Sequence, residues 1–486
     1  MNIEILGNTS DSTTRSGTIA AAYAEYCRFR SRLQACDHKA GAAALRWTDY
    51  LLSESVLAKK NPAYLSSLQR PSHRLRTWAR AVLRRFQFFM ENRSIRKARF
   101  DIAFVPINDS HLKAQFPVAK ALRERGKQVL FISSRKHYRP IIEGNDFPFF
   151  WIDDAMLVTG TAFQDVLRWI DDDEIRFLIK KRRAKIENWE KCFELAIQLF
   201  RLRAVIVGND ILAECRVASA ISKNHGLPVF CLQHGSMNRC NPIYVESVAD
   251  RYYVYGDITH QELIELGMDP HKLVVAGAPY LEEATGTRTR ESVLQELEPK
   301  SERIGLVLLS GPGHSTKKAH WRQIMETLIS ASRQFEDVQF VLKLHPKENV
   351  NAYREISQEI IVLDNTSLTC RNLTLCDLLR TCAFVVTGAS TSAIEAMIFG
   401  KPVFTVDFMQ EYSEAELIQA GATIHSSTPQ QFVNNIQTFL SGEAHFESTF
   451  ASARKFLERF FYQPEQSKPS QFIAADVSRL MDNCHP

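Results

Sequence analysis

Three segments in the second half of the chain have residue types and spacing suited to holding phosphate. Ser310-Gly311-Pro312-Gly313-His314-Ser315 follows the apolar run 304–309. Its two glycines let backbone approach a ligand closely, and successive amides in such a loop can bind an anion. Gly311, Gly313 and His314 are therefore candidate phosphate-binding positions, with a plain turn as the alternative. The loop is not a Walker-type phosphate loop, because the invariant lysine spacing is absent. Lys343-Leu344-His345-Pro346-Lys347 leads straight out of the run VQFVLKL. Proline stops the strand, so His345 is expected at its carboxyl end, with Pro346 fixing the backbone. Flanked by Lys343 and Lys347, it suits diphosphate oxygens. In 387–395, Ser390, Thr391 and Ser392 sit where a helix follows a strand. A helix N-terminus presents free amides and a partial positive charge. Ser392 and Glu395 also fit an S-x-x-E capping box, a structural reading of the same residues.

Two segments in the first half suit proton transfer. Gln233-His234-Gly235-Ser236 follows the run PVFCL, and a histidine there can serve as a general base. Gly208-Asn209-Asp210 follows AVIV and brings a carboxylate to a strand end, as base or nucleophile. Helix capping is the plainer reading of its Asx residues. Asn108-Asp109-Ser110-His111, after DIAFVP, has the same status.

The elements that must position these loops alternate. Short apolar runs at 101–106, 128–132, 204–207, 228–232, 251–255 and 273–276 are separated by helical spacings. After a Thr-, Glu- and Arg-rich linker the alternation restarts at 304–309, 338–344, 359–363, 384–386 and 401–406, the last clear strand. Such alternation signals parallel sheets, whose ligands sit outside the carboxyl ends of the strands. The expected fold class is α/β, with two Rossmann-like, doubly wound domains facing a cleft. The first, at 100–285, carries a helical insertion at 161–200, and the second spans 300–445; the resemblance given below implies that the first is the acceptor domain and the second takes the nucleotide. A helical extension at 1–99 precedes them, and C-terminal helices at 446–486 follow.

The chain has 486 residues, 45% hydrophobic and 24% charged, with net charge +5. That composition is ordinary for a globular protein and too weakly basic to indicate nucleic-acid binding. The 10 cysteines are scattered without CxxC or zinc-type spacing, and are read as buried thiols in a reducing compartment. No apolar run reaches spanning length and no signal peptide is evident, so a cytoplasmic location is expected. The Arg-rich stretch 74–99, with Trp78, Leu83, Phe86, Phe88 and Phe89 among its charges, suits either an anionic membrane surface or a helix packed on the core.

The order QHG, HP, hydroxyl-rich helix start and then EAMIFGKPV, within residues 100–410, resembles GT-B glycosyltransferases of bacterial surface-polymer synthesis. In motif style it is nearest to CMP- and CDP-donor enzymes: Kdo transferases, sialyltransferases and teichoic-acid glycerophosphotransferases. The resemblance assigns His345, Pro346, Ser390, Thr391 and Ser392 to the donor phosphate and nucleotide, and sets Glu395 near the donor ribose. Two departures stand out. Teichoic-acid polymerases usually extend the His-Gly motif with Thr and Lys, and the sialyltransferase acidic motif has no match unless Asp210 stands in for it. The resemblance implies transfer of a sugar, CMP-Kdo favoured, to a glycan or lipid-linked glycan, with His234 as base if the reaction inverts and Asp210 as nucleophile if it retains. It needs no cofactor and no metal. A CDP-polyol phosphotransferase, a UDP-sugar 2-epimerase-like enzyme and a non-catalytic sugar-nucleotide binder are the alternatives. The epimerases share the two-domain shape, although their usual histidine- and glutamate-rich motif in the first half is not apparent here.

Overall fold

The computed structural model describes residues 31, 88, 90–95, 98–152, 173–235, 244, 246–283, 288–309, 311, 318–344, 348, 350–353, 358–388, 391–410, 415–461 and 467–483. The chain divides into two compact units, one comprising mainly 10–283 and 461–486, the other mainly 284–460.

The first unit holds a seven-stranded sheet in the order β3-β2-β1-β4-β5-β6-β7. Its strands are β1 Ile102–Val105, β2 Val129–Ser133, β3 Phe149–Trp151, β4 Ala204–Val207, β5 Val229–Leu232, β6 Arg251–Val254 and β7 Leu273–Val275, all parallel. Parallel strands covered on both faces are apolar throughout rather than alternating; IAFV, AVIV and VFCL are buried at every position. The direction of winding reverses between β1 and β4, so the loops after these strands open the sheet's switch point.

The second unit holds a six-stranded parallel sheet in the order β10-β9-β8-β11-β12-β13. Its strands are β8 Ile304–Leu308, β9 Gln339–Lys343, β10 Ile361–Leu363, β11 Phe384–Thr387, β12 Val403–Val406 and β13 Ile424–Ser426. Here the winding reverses between β8 and β11. Phe384 centres the core, with the rings of Phe340, Phe404 and Phe439 packed edge-on within 6.1 Å.

Several sequence expectations change. The strands β3 and β13 were not expected; both are three-residue edge strands. The described helix of the insertion runs Asp173–Phe200. The C-terminal helices, expected as one block, are split. Glu447–Phe460 belongs to the second unit, whereas Pro469–Asn483 returns to the first. The latter buries Ile473, Ala474, Val477 and Met481 in the first core. Tyr253 Oη donates to Asp476 Oδ2 at 2.9 Å, and Ser470 donates from N and Oγ to Glu282 at 2.6 Å each. Phe88 is a core side chain, 1% exposed and edge-on to Phe150 at 5.5 Å, so it is unavailable to a membrane surface. Most of the helical extension and the remaining aromatics of 74–99 lie outside the described residues. Among the described residues no helix is long and apolar enough to cross a membrane, and four of six described cysteines are buried.

Candidate functional site

In the first unit, three loops at the carboxyl ends of adjacent strands meet at the switch point. After β1, Asn108 caps the helix Asp109–Glu124 by accepting the amide of His111 at 2.8 Å. That bond fixes the backbone of His111 and turns its ring inward, where it is completely buried. After β4 comes Gly208, and a Cβ there would lie 2.4 Å from the His111 ring. Glycine is therefore required by close approach, not by backbone angle. After β5 comes His234, whose ring packs on His111 with centroids 4.2 Å apart and planes at 58°.

His234 Nδ1 lies 2.6 Å from the Gly208 carbonyl oxygen. A carbonyl only accepts, so Nδ1 carries the hydrogen and Nε2 keeps its lone pair. Burial lowers the pKa of His234, against a weaker opposing pull from the Gly208 carbonyl. Neutral, with its tautomer set by backbone and its ring partly exposed, His234 meets the local requirements of a general base. The turn carrying it is clamped by Gln233, whose Nε2 donates to Gly235 O at 2.9 Å while its Oε1 accepts from Tyr255 N at 2.7 Å.

His111 is held well below the ordinary histidine value of 6.5, first by burial and then by the charge His234 would carry. The Val105 carbonyl pulls weakly the other way, yet neither ring nitrogen of His111 lies in hydrogen-bonding geometry with a partner. Each such unmet group costs about 1–3 kcal/mol.

Asp210 differs from the nucleophile expected of it. Its side chain is 0% exposed. Oδ2 accepts from Ser247 Oγ and Val248 N at 2.7 Å and from Ala249 N at 3.0 Å. Through Oδ2 this buried carboxylate ties loop 247–249 to the end of β4, while Oδ1 is buried with no partner in hydrogen-bonding geometry. The neighbouring Asn209 makes the local turn, accepting from Ile211 N at 2.8 Å and Leu212 N at 3.2 Å.

In the second unit, the loops after β8 and β11 again flank the reversal. Thr387 Oγ1 donates to Leu308 O at 2.6 Å and joins the two strand ends. Gly311 is buried against Glu348, and a Cβ at Gly311 would fall 1.7 Å from Glu348 Oε1. The Glu348 carboxylate also accepts from Tyr353 Oη. Gly311 thus accommodates a carboxylate side chain of its own unit. Lys343 ends β9 and is partly exposed. The helix after β11 spans Thr391–Ile398, with Ser392 and Glu395 partly buried within it. Ser392 is helical and so is not the N-cap of the expected box. Gly313, His314, His345, Pro346 and Ser390 lie outside the described residues, as does the side chain of Thr391. At the end of β12, Phe408 N donates to the buried His320 Nε2 at 3.0 Å; nothing in the sequence signalled that tie. His111 was legible only as a loop histidine, since its contacts depend on β1 and β4 being neighbours.

Two parallel sheets, each with its loops gathered at a winding reversal, define the GT-B-like fold of nucleotide-sugar enzymes. The sequence profile of the UDP-N-acetylglucosamine 2-epimerase family matches residues 214–458, half of the chain. The chain belongs to that family. Solved structures show the same fold. The S. aureus MnaA–UDP co-structure is 12% identical with TM-score 0.54, covering 79% of this chain and 97% of that one. UDP-GlcNAc 2-epimerase from Neisseria meningitidis bound to UDP-GlcNAc is 13% identical with TM-score 0.51, over 78% and 99%. HepE of Anabaena, in complex with UDP and glucose, is 13% identical with TM-score 0.51, over 79% and 100%. No curated protein matches the chain. The family match favours the epimerase alternative over the CMP-donor transferase reading.

Proposed function

We propose that this protein inverts C2 of the sugar in a UDP-linked N-acetylhexosamine. The observation that carries the reading is the family match over 214–458, which includes the turn 233–235 and nearly all of the second unit. Relatives of the same fold were solved with UDP or UDP-GlcNAc, in keeping with a uridine nucleotide as the handle.

Inversion at C2 requires the C2–H bond to break as its electron pair forms a C1=C2 double bond and the C1–O bond to UDP breaks, UDP leaving as the anion. UDP then re-adds at C1 while a solvent-derived proton is delivered to C2 on the opposite face. His234 takes the proton on Nε2, the nitrogen its bond to Gly208 leaves unprotonated. The nucleotide's phosphates bind in the second unit, at the start of the helix Thr391–Ile398 and beside Lys343. His345, Pro346, Ser390, Gly313 and His314 belong to the same phosphate-binding set in this proposal. Glu395 contacts the nucleotide ribose. The carbon acid is weak, so the base works only while its lone pair is free, which suits an imidazole held neutral by burial.

The test is incubation with UDP-GlcNAc in D2O without any acceptor, followed by proton NMR and mass spectrometry. The expected product is the 2-epimer carrying deuterium at C2. CMP-, CDP- and GDP-sugars are run in parallel. Turnover of a CMP-sugar only when a glycan acceptor is added, with UDP-GlcNAc unchanged, would replace this reading by the transferase one.

A further inference from the structure

We propose that His111 is a positioning residue for His234: its buried ring is the surface against which the catalytic imidazole is set, and Gly208 is the spacer that lets the two rings meet. This rests on His234 being the base of the proposed reaction.

Three contacts close a triangle. The His111 backbone is fixed by the Asn108 cap, its ring lies where a Gly208 side chain would be, and it packs on His234 with centroids 4.2 Å apart and planes at 58°. Gly208 also supplies the carbonyl that sets the His234 tautomer. The three residues come from loops after β1, β4 and β5, consecutive strands at the winding reversal. A single hydrogen bond at Nδ1 leaves an imidazole free to rock about the N–H···O axis, and a packed face removes that freedom. Neither nitrogen of His111 has a partner in hydrogen-bonding geometry, so packing, in which Gly208 and His234 take part, sets its ring. Any change in that packing is therefore passed to His234. A phenyl ring at 111 offers the same face without the two unmet polar groups.

The experiment is long-range proton–nitrogen NMR on the full chain with nitrogen-labelled histidine, the His234 signals being assigned with His234→Gln. In the wild type at pH 7.5, His234 should show one tautomer, protonated at Nδ1. His111→Ala and Gly208→Ala should mix in the Nε2-protonated form that free imidazole favours. His111→Phe should restore the wild-type pattern and raise the melting temperature. For epimerisation, His111→Ala should lower kcat roughly tenfold with KM within about twofold, and His111→Phe should recover most of it. Circular dichroism checks that each variant is folded. A pure Nδ1-protonated His234 in folded His111→Ala would overturn the proposal, as would failure of His111→Phe to restore it. The NMR result needs no substrate. A wild type without epimerase activity removes the proposed function and leaves the positioning result standing, whereas an active enzyme with unperturbed variants does the reverse.

Discussion

Replacing Asp210 by alanine separates a structural carboxylate from a catalytic one. The side chain is completely buried, and one oxygen accepts three donors at 2.7–3.0 Å from Ser247, Val248 and Ala249. A hydrogen bond to a charged group contributes about 1.5–3 kcal/mol. Three sharing one oxygen contribute less than three times that, because neighbouring interactions are not additive and water entering the vacated space re-solvates some donors. The expected loss is about 3–4 kcal/mol. For a unit of this size each kcal/mol moves the melting temperature by roughly 2–4 °C, so Asp210→Ala should melt roughly 6–16 °C lower. Asp210→Asn keeps an acceptor oxygen but not the charge, and about half the effect is expected. The assay is thermal unfolding followed by circular dichroism, with tryptophan fluorescence adding local detail: Trp151 and Trp189 report the first unit and Trp321 the second. An Asp210→Ala protein that melts like the wild type yet has lost all turnover would refute this account and return Asp210 to the chemistry.

Lowering the pH should weaken the fold through the paired histidines. Both His111 and His234 have folded-state values below the ordinary 6.5, so below that pH the unfolded chain binds more protons. Stability is therefore full above about pH 6.5 and falls beneath it, by up to roughly 1.4 kcal/mol per pH unit for each histidine; denaturant midpoints at pH 7.5 and 5.5 that coincide would exclude it. His234→Gln should abolish deuterium exchange at C2 while leaving UDP-induced stabilisation in a thermal shift assay intact; retained exchange would disqualify His234 as the base. Thr387→Val removes the hydroxyl that joins β11 to β8 and strands the Leu308 carbonyl, so a loss of about 1–2 kcal/mol is expected by urea unfolding.

The sheets were legible because strands buried on both faces declare themselves as apolar runs, and IAFV, AVIV, VFCL and FVVT all do. The edge strands were not. FFW is three residues inside a Pro- and aromatic-rich stretch, and IHS carries a histidine and a serine; neither has the length or composition that separates a strand from a loop. The return of the helix Pro469–Asn483 to the first unit was equally hidden, since its apolar stripe fits any core and its polar partners, among them Tyr253 for Asp476, Glu282 for Ser470 and Lys127 for Asp482, show only in the fold. The candidate site was legible as a set of loops after strands. What each member does was not, because the roles depend on which strands are neighbours.

The segment Gly208-Asn209-Asp210 shows how much of a residue's work type and spacing leave unread. Sequence alone picks out the aspartate, the one side chain of the three with nucleophilic or basic chemistry. In the fold each residue meets a separate structural demand: Gly208 leaves room for the His111 ring, Asn209 closes the turn into the next helix, and Asp210 anchors loop 247–249. Each of the three thus has a structural task at one strand end, and the base proposed above, His234, lies after the neighbouring strand. The same segment fixes the tautomer of His234 through the Gly208 carbonyl. The proposed base and the residues that set its tautomer and packing thus follow different strands, and the order β1-β4-β5 brings them together.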